Sequence, residues 1–175
     1  MRQTAAQRVV HRFMQASEHI EMKGAIMFSS PAVLAAQEKG EEILVRLVGQ
    51  EKADEMIKAR KARVGEKAHV TIAGPKDAKE AVAQRAARDG LSKGAAEKAI
   101  KEDLAAMHGG SFTARGLGHA EGGGNEAYFV VIEWAGGREI REKLGLSPDG
   151  QDFHVTVGFT GGDVHGVRKD KVTWT

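Results

Sequence analysis

Apolar positions fall into two periods along the chain. A stripe at i, i+3, i+4 spacing (Val9, Val10, Phe13, Met14) predicts a helix over 4–19. The short apolar run 24–29 (GAIMFS) suits a buried strand. Ser30-Pro31 then reads as an N-cap followed by proline at the first helical position, and Gly40 is the expected end of that helix. Residues 41–48 (EEILVRLV) fit strand or helix, whereas 50–62 is helical. The β-branched run 68–73 (AHVTIA), stopped by Gly74-Pro75, predicts a strand. Helices follow over 76–88, closed by Asp89-Gly90, and over 93–107, opened by Ser92 and closed by Gly109-Gly110.

In the last third, 112–115 predicts a short strand, 116–124 (GLGHAEGGG) a glycine-rich connection, and 127–134 (AYFVVIEW) the strongest strand of the chain. A short helix over 138–144 ends at Gly145, a strand covers 153–159, and 163–174 supplies a last strand or a hairpin. Helices and strands intermingle, and only some neighbouring strands can be joined by tight turns. The pattern predicts an α+β fold with largely antiparallel sheet rather than a doubly wound parallel one.

Composition narrows this further. The 175 residues fit one domain, or two small lobes sharing one core. With 41% hydrophobic and 29% charged residues the chain reads as globular, and 26 basic against 24 acidic side chains leave no bulk charge to choose a partner. The absence of cysteine removes disulfides, thiolate metal sites and a cysteine nucleophile. Charged and polar residues interrupt every apolar run in the first thirty positions, and none approaches the ~20 apolar residues of a membrane span. A soluble, cytoplasmic protein with no membrane association is expected; oligomeric state is left open.

The chemistry concentrates in a repeated triplet. His69-Val70-Thr71-Ile72 and His154-Val155-Thr156-Val157 share the order histidine, valine, threonine, aliphatic. On a strand, each histidine and its threonine share one face while the valine points the other way. The copies lie 154 − 69 = 85 residues apart, a spacing that suits one per lobe of a duplicated unit, lobe one over about 20–110 and lobe two over about 111–175. Cleavage of a phosphodiester needs a base to activate the attacking oxygen and an acid to protonate the departing one. Two imidazoles, one neutral and one protonated, supply both. Threonine hydroxyls can hold the non-bridging oxygens as charge builds. That scheme requires neither metal nor other cofactor, and no His-x-x-x-His spacing occurs.

With these triplets the chain resembles the 2H phosphoesterase superfamily, which includes LigT-like cyclic phosphodiesterases. The segment 153–170 (FHVTVGFTGGDVHGVRKD) is most similar to its Swiss Army Knife RNA-repair branch. The resemblance covers residues 66–175, and the first 60 look like a helical extension plus one family strand. It implies a two-lobed fold of duplicated antiparallel sheets flanked by helices, with the histidines facing one another across a groove. It also implies His69 and His154 as the acid-base pair and Thr71 and Thr156 as phosphate donors. The expected activity is hydrolysis of a 2',3'-cyclic phosphate, on an RNA end or a small nucleotide. A cyclic-oligonucleotide-degrading enzyme and a non-catalytic RNA-binding module are the alternatives.

Other residues could serve the groove. His165, Arg168 and Lys169 follow the second triplet closely and could bind a second phosphate or a base, or form a surface hairpin. Phe159, Phe28 and Tyr128 are candidate stacking platforms, against the commoner fate of strand aromatics in a core. The basic run 58–67 (KARKARVGEK) is read mainly as a solvated helix end, and His119 as a loop histidine.

Overall fold

The structure is a computed structural model that describes residues 18–175. The helix expected over 4–19 lies outside the described residues except at its end, where His19 instead opens a strand. Strand β1 (His19–Lys23) turns at Gly24 into β2 (Ala25–Ser29), which pairs antiparallel with β1 on one side and with β3 (Val70–Ala73) on the other, in the order β1-β2-β3. A second antiparallel sheet joins β4 (Thr113–Gly122), β5 (Asn125–Glu133) and β6 (His154–Phe159) in chain order. The α+β class and the pair of antiparallel sheets flanked by helices are as expected.

Helix α1 (Pro31–Val48) starts as predicted, with the Val33 amide donating to Ser30 Oγ. It runs straight through Gly40, which does not end it. A Cβ at Gly40 would stand 2.6 Å from methyls of both Val130 and Val157, so the glycine is there for close approach of α1 to the second sheet. Helix α2 (Gln50–Val64) follows, and Gly158 lets it lie equally close to β6: a Cβ there would meet Met56 at 3.0 Å. Helices α3 (Pro75–Asp89), α4 (Lys93–Ala105) and α5 (Ala135–Lys143) complete the set.

The segment expected as a glycine-rich connection is strand: β4 extends through Gly122, and only Gly123-Gly124 form the turn to β5. Its bare positions make room for the C-terminal segment, whose Trp174 exchanges main-chain hydrogen bonds with Leu117. The last strand expected within 163–174 is reduced to that single bridge.

Helices and sheets are exchanged along the chain. Helices α1 and α2 come from the half that builds the first sheet, yet they pack on β6 of the second. Helix α5, from the second half, packs on β3, while α3 and α4 cover the first sheet. One apolar core consequently holds residues of both sheets, among them Phe28, Val70, Ile72, Val130, Val155 and Val157. Among the described residues no helix is long and apolar enough to cross a membrane.

Candidate active site

Both triplets occupy corresponding positions at their strands. Val70, Ile72, Val155 and Val157 are fully buried in the shared core, and His69, Thr71, His154 and Thr156 are half-buried. The alternation follows from β-branched side chains on a pleated strand. Thr71 pairs with Met27 and, across β2, with Glu21, on the face turned away from Phe28 and Val70. His69 lies just outside β3, one residue before its first paired position. On the second sheet His154 pairs with Val131 and Thr156 with Phe129, again away from the core. Strands β3 and β6 belong to different sheets but touch, so the two triplets lie at contacting strands.

A pair of buried arginines fixes the two strands in matching fashion. Arg60 of α2 donates to the Val157 carbonyl (2.7 Å) and to Glu41 (2.8 Å). Arg141 of α5 donates to the Ile72 carbonyl (2.8 Å), the Ser147 carbonyl (2.7 Å) and Asp77 (2.9 Å). Each arginine is 2% exposed and holds the fourth residue of one motif, and each comes from the half of the chain that carries the other motif. Gln37 of α1 adds a bond to the Thr156 carbonyl at 3.0 Å. Arg60 thus departs from the solvated reading of the basic run 58–67; Lys58, Lys61, Arg63 and Lys67 keep it.

The imidazoles are prepared alike. His154 Nδ1 lies 2.7 Å from the carbonyl of Asp152, two residues back. A carbonyl only accepts, so Nδ1 carries the proton and Nε2 of the neutral ring is a free base. The backbone of Lys67, also two residues back, favours the protonated ring of His69. Burial is the main force on both rings and favours their neutral forms. It lowers His69 against that backbone effect, with the Lys67 charge helping. It takes His154 down to about 4, assisted by the charge of Lys169 and opposed by the Asp152 hydrogen bond and carboxylate and by Asp163.

Lys169 is 6% exposed, pairs with Asp163 at 3.2 Å and lies 5.9 Å above the Phe129 ring, which also meets His154 at 5.7 Å edge-on. The segment carrying it is tied to Asp152. Arg168 grips that carboxylate with two bonds of 2.8 and 3.0 Å, and the Lys169 amide adds a third at 3.0 Å. Arg168 foremost, then the Lys169 amide, hold Asp152 below the usual carboxylate range against its partial burial.

Several candidates are placed elsewhere. Phe159 is 1% exposed within a small cluster with Phe129, Val131 and Val164, so no ring face is offered to a base. A register shift in the β5–β6 pairing sets it on the sheet face of Phe129 and Val131, where that cluster covers it. Tyr128 is buried on the opposite face of the sheet, against His119 (4.6 Å) and Trp174 (5.9 Å). Phe28 is stacked on Trp134. Arg168 is exposed but committed to Asp152 and Asp170, and His165 is exposed on the same segment.

The fold and the paired triplets define a two-histidine phosphoesterase. Comparison with family models matches residues 37–165 to the Swiss Army Knife, 2H phosphoesterase domain, a span holding both triplets and the Arg60 and Arg141 anchors. The chain belongs to that family, whose activity is of the phosphodiesterase type. Neither the curated proteins nor the solved structures yield a match.

Sequence reasoning missed Arg60 and Arg141, whose buried role no motif announces. It also missed a second cluster, in which His119, Glu121 and Glu126 converge at the β4–β5 turn. Its signal was present: His119 and Glu121 at i, i+2 on a strand, and Glu126 beyond a tight hairpin.

Proposed function

We propose that this chain hydrolyses a 2',3'-cyclic phosphate, at an RNA end or on a small nucleotide, with His154 as base and His69 as acid. The observation that carries this reading is the matched setting of the two triplets: each histidine is half-buried with the backbone two residues earlier acting on its ring, at strands that touch. The direction of the shifts supports these roles. His154, held to about 4, stays neutral at ordinary pH and accepts a proton from water through Nε2. His69 is lowered as well, yet the anionic phosphate of a bound substrate favours its protonated form.

Water attacks phosphorus as His154 takes its proton. The bond from phosphorus to one ribose oxygen breaks, and that oxygen takes the proton of His69. The product is a phosphomonoester beside a free hydroxyl, and the proton gained by His154 returns to His69 through solvent. Thr71 and Thr156 donate to the non-bridging oxygens as charge accumulates. No step at the triplets needs a metal.

Purified protein incubated in EDTA with each of the four nucleoside 2',3'-cyclic monophosphates tests the substrate class. Turnover to a single phosphomonoester isomer is expected, and the isomer identifies the leaving oxygen. Lack of turnover on these and on RNA bearing a 2',3'-cyclic phosphate end, with tight binding of RNA, would replace the enzyme by a binding module.

A further inference from the structure

The β4–β5 hairpin carries a group of side chains that the phosphoesterase chemistry does not use. His119 and Glu121 share a face of β4, and Glu126 stands directly across from Glu121 on β5. His119 Nε2 lies 3.8 Å from Glu121 Oε1 and 3.8 Å from Glu126 Oε2, and the three donor groups fall within 4.8 Å of one another. Two carboxylates placed opposite on neighbouring strands repel. His119 Nε2, which faces both carboxylates, is buried without a hydrogen-bond partner, and so is Glu126 Oε1, the oxygen turned toward Lys52. Unsatisfied buried polar atoms are rare in folded proteins and call for a missing partner.

Lys52 of α2 supplies only part of it. Its Nζ is 3.3 Å from Glu126 Oε1 as an ion pair, does not satisfy that oxygen with a hydrogen bond, and belongs to a half-exposed side chain free to swing away. A cavity of about 390 Å³ opens beside the group, lined by Lys52, Glu121, Asn125, Glu126 and Thr160.

We propose that His119, Glu121 and Glu126 bind a divalent transition-metal cation, zinc or a neighbour of it in the first row. One imidazole nitrogen and two carboxylates are a donor set that such ions take, with the remaining position left to water from the cavity. A tetrahedral ion holding N and O donors at about 2.0–2.1 Å keeps them about 3.4 Å apart. The 3.8 Å separations therefore close by a few tenths of an ångström, within reach of two glutamate rotamers. The site is on the face of the second sheet opposite His154 and Thr156, beside Tyr128 and Trp174, so it joins hairpin to C-terminal segment rather than entering the reaction.

Calorimetric titration of the full chain with Zn²⁺, and Co²⁺ titration followed by visible absorption and by Trp174 emission, read the site directly. One equivalent per chain is expected, with quenching by Co²⁺. Glu121→Gln alters a largely exposed side chain and leaves the fold intact, and His119→Ala removes the nitrogen donor. Each should weaken binding at least about tenfold, since even outer-shell changes cost that much. Lys52→Met, which removes the competing cation, should strengthen it. Absence of stoichiometric binding, or binding unchanged in both Glu121→Gln and His119→Ala, would overturn the proposal. Because the readout is metal uptake, it stands or falls independently of phosphodiesterase turnover.

Discussion

Lys169 is nearly buried and acts on His154, whereas the cation acting on His69 is Lys67, an exposed residue. With His154 as the proposed base and His69 as the proposed acid, the difference predicts a pH profile. In kcat/KM, which reports the free enzyme, the acidic limb should fall near 4 as His154 takes up a proton, and the basic limb below 6.5 as His69 loses one. The optimum should lie below pH 6.5; an optimum above 7 would contradict the assignment. Lys169→Met removes a cation that disfavours protonated His154, leaving Asp152 and Asp163 facing the ring. The acidic limb should move to higher pH, and Lys169→Arg should largely restore it. The same depressed value bears on stability. Between about 4 and 6.5 the unfolded chain binds a proton at His154 that the folded chain does not, so this contribution is present above 6.5 and lost as pH falls through that window. Thermal unfolding should therefore show a smaller loss between pH 7 and 4 in His154→Gln than in the parent.

At the level of elements, two helices hold two strands by one arginine each. Arg60→Met and Arg141→Met leave a buried carbonyl and a partly buried carboxylate without their donor, at a cost of about 3 kcal/mol by urea unfolding. Each should also lower turnover through the strand it anchors; stability within 0.5 kcal/mol of the parent would argue against the anchoring role. Gly40→Ala forces a methyl against Val130 and Val157 and should destabilise by about 1–3 kcal/mol, whereas Gly94→Ala meets nothing and should stabilise by about 0.5 kcal/mol. These contrasts mark what the sequence could and could not disclose. The strands with β-branched or aromatic runs, the helices opened by Ser30 and Ser92, and both triplets were legible because local propensity and tertiary position agree there. Gly40 and the glycines of β4 misled because their purpose is close approach by a distant segment. Strand β1 was missed because His19, Glu21 and Lys23 on its open face look like the polar end of a helix. The arginines were illegible because their partners are 69 and 97 residues away.

Across the whole molecule, the exchange of helices between sheets predicts that neither half is stable alone. Trp134 shows the dependence: it stacks on Phe28 of the first sheet at 4.7 Å, meets Phe153 at 5.3 Å, and donates its indole hydrogen to Gly109. Urea unfolding followed by tryptophan emission and by far-ultraviolet dichroism should give one coincident transition, and two separated transitions would show independent halves. On the proposed function the two triplets form a single site, so the histidines should act as a unit. The most direct test is kcat/KM on a cyclic nucleotide for His69→Ala, His154→Ala and the double variant. Each single change should remove most of the activity, and the double variant should lose little more. Near-full turnover in either single variant, or losses that simply multiply in the double, would contradict paired acid-base catalysis by His69 and His154.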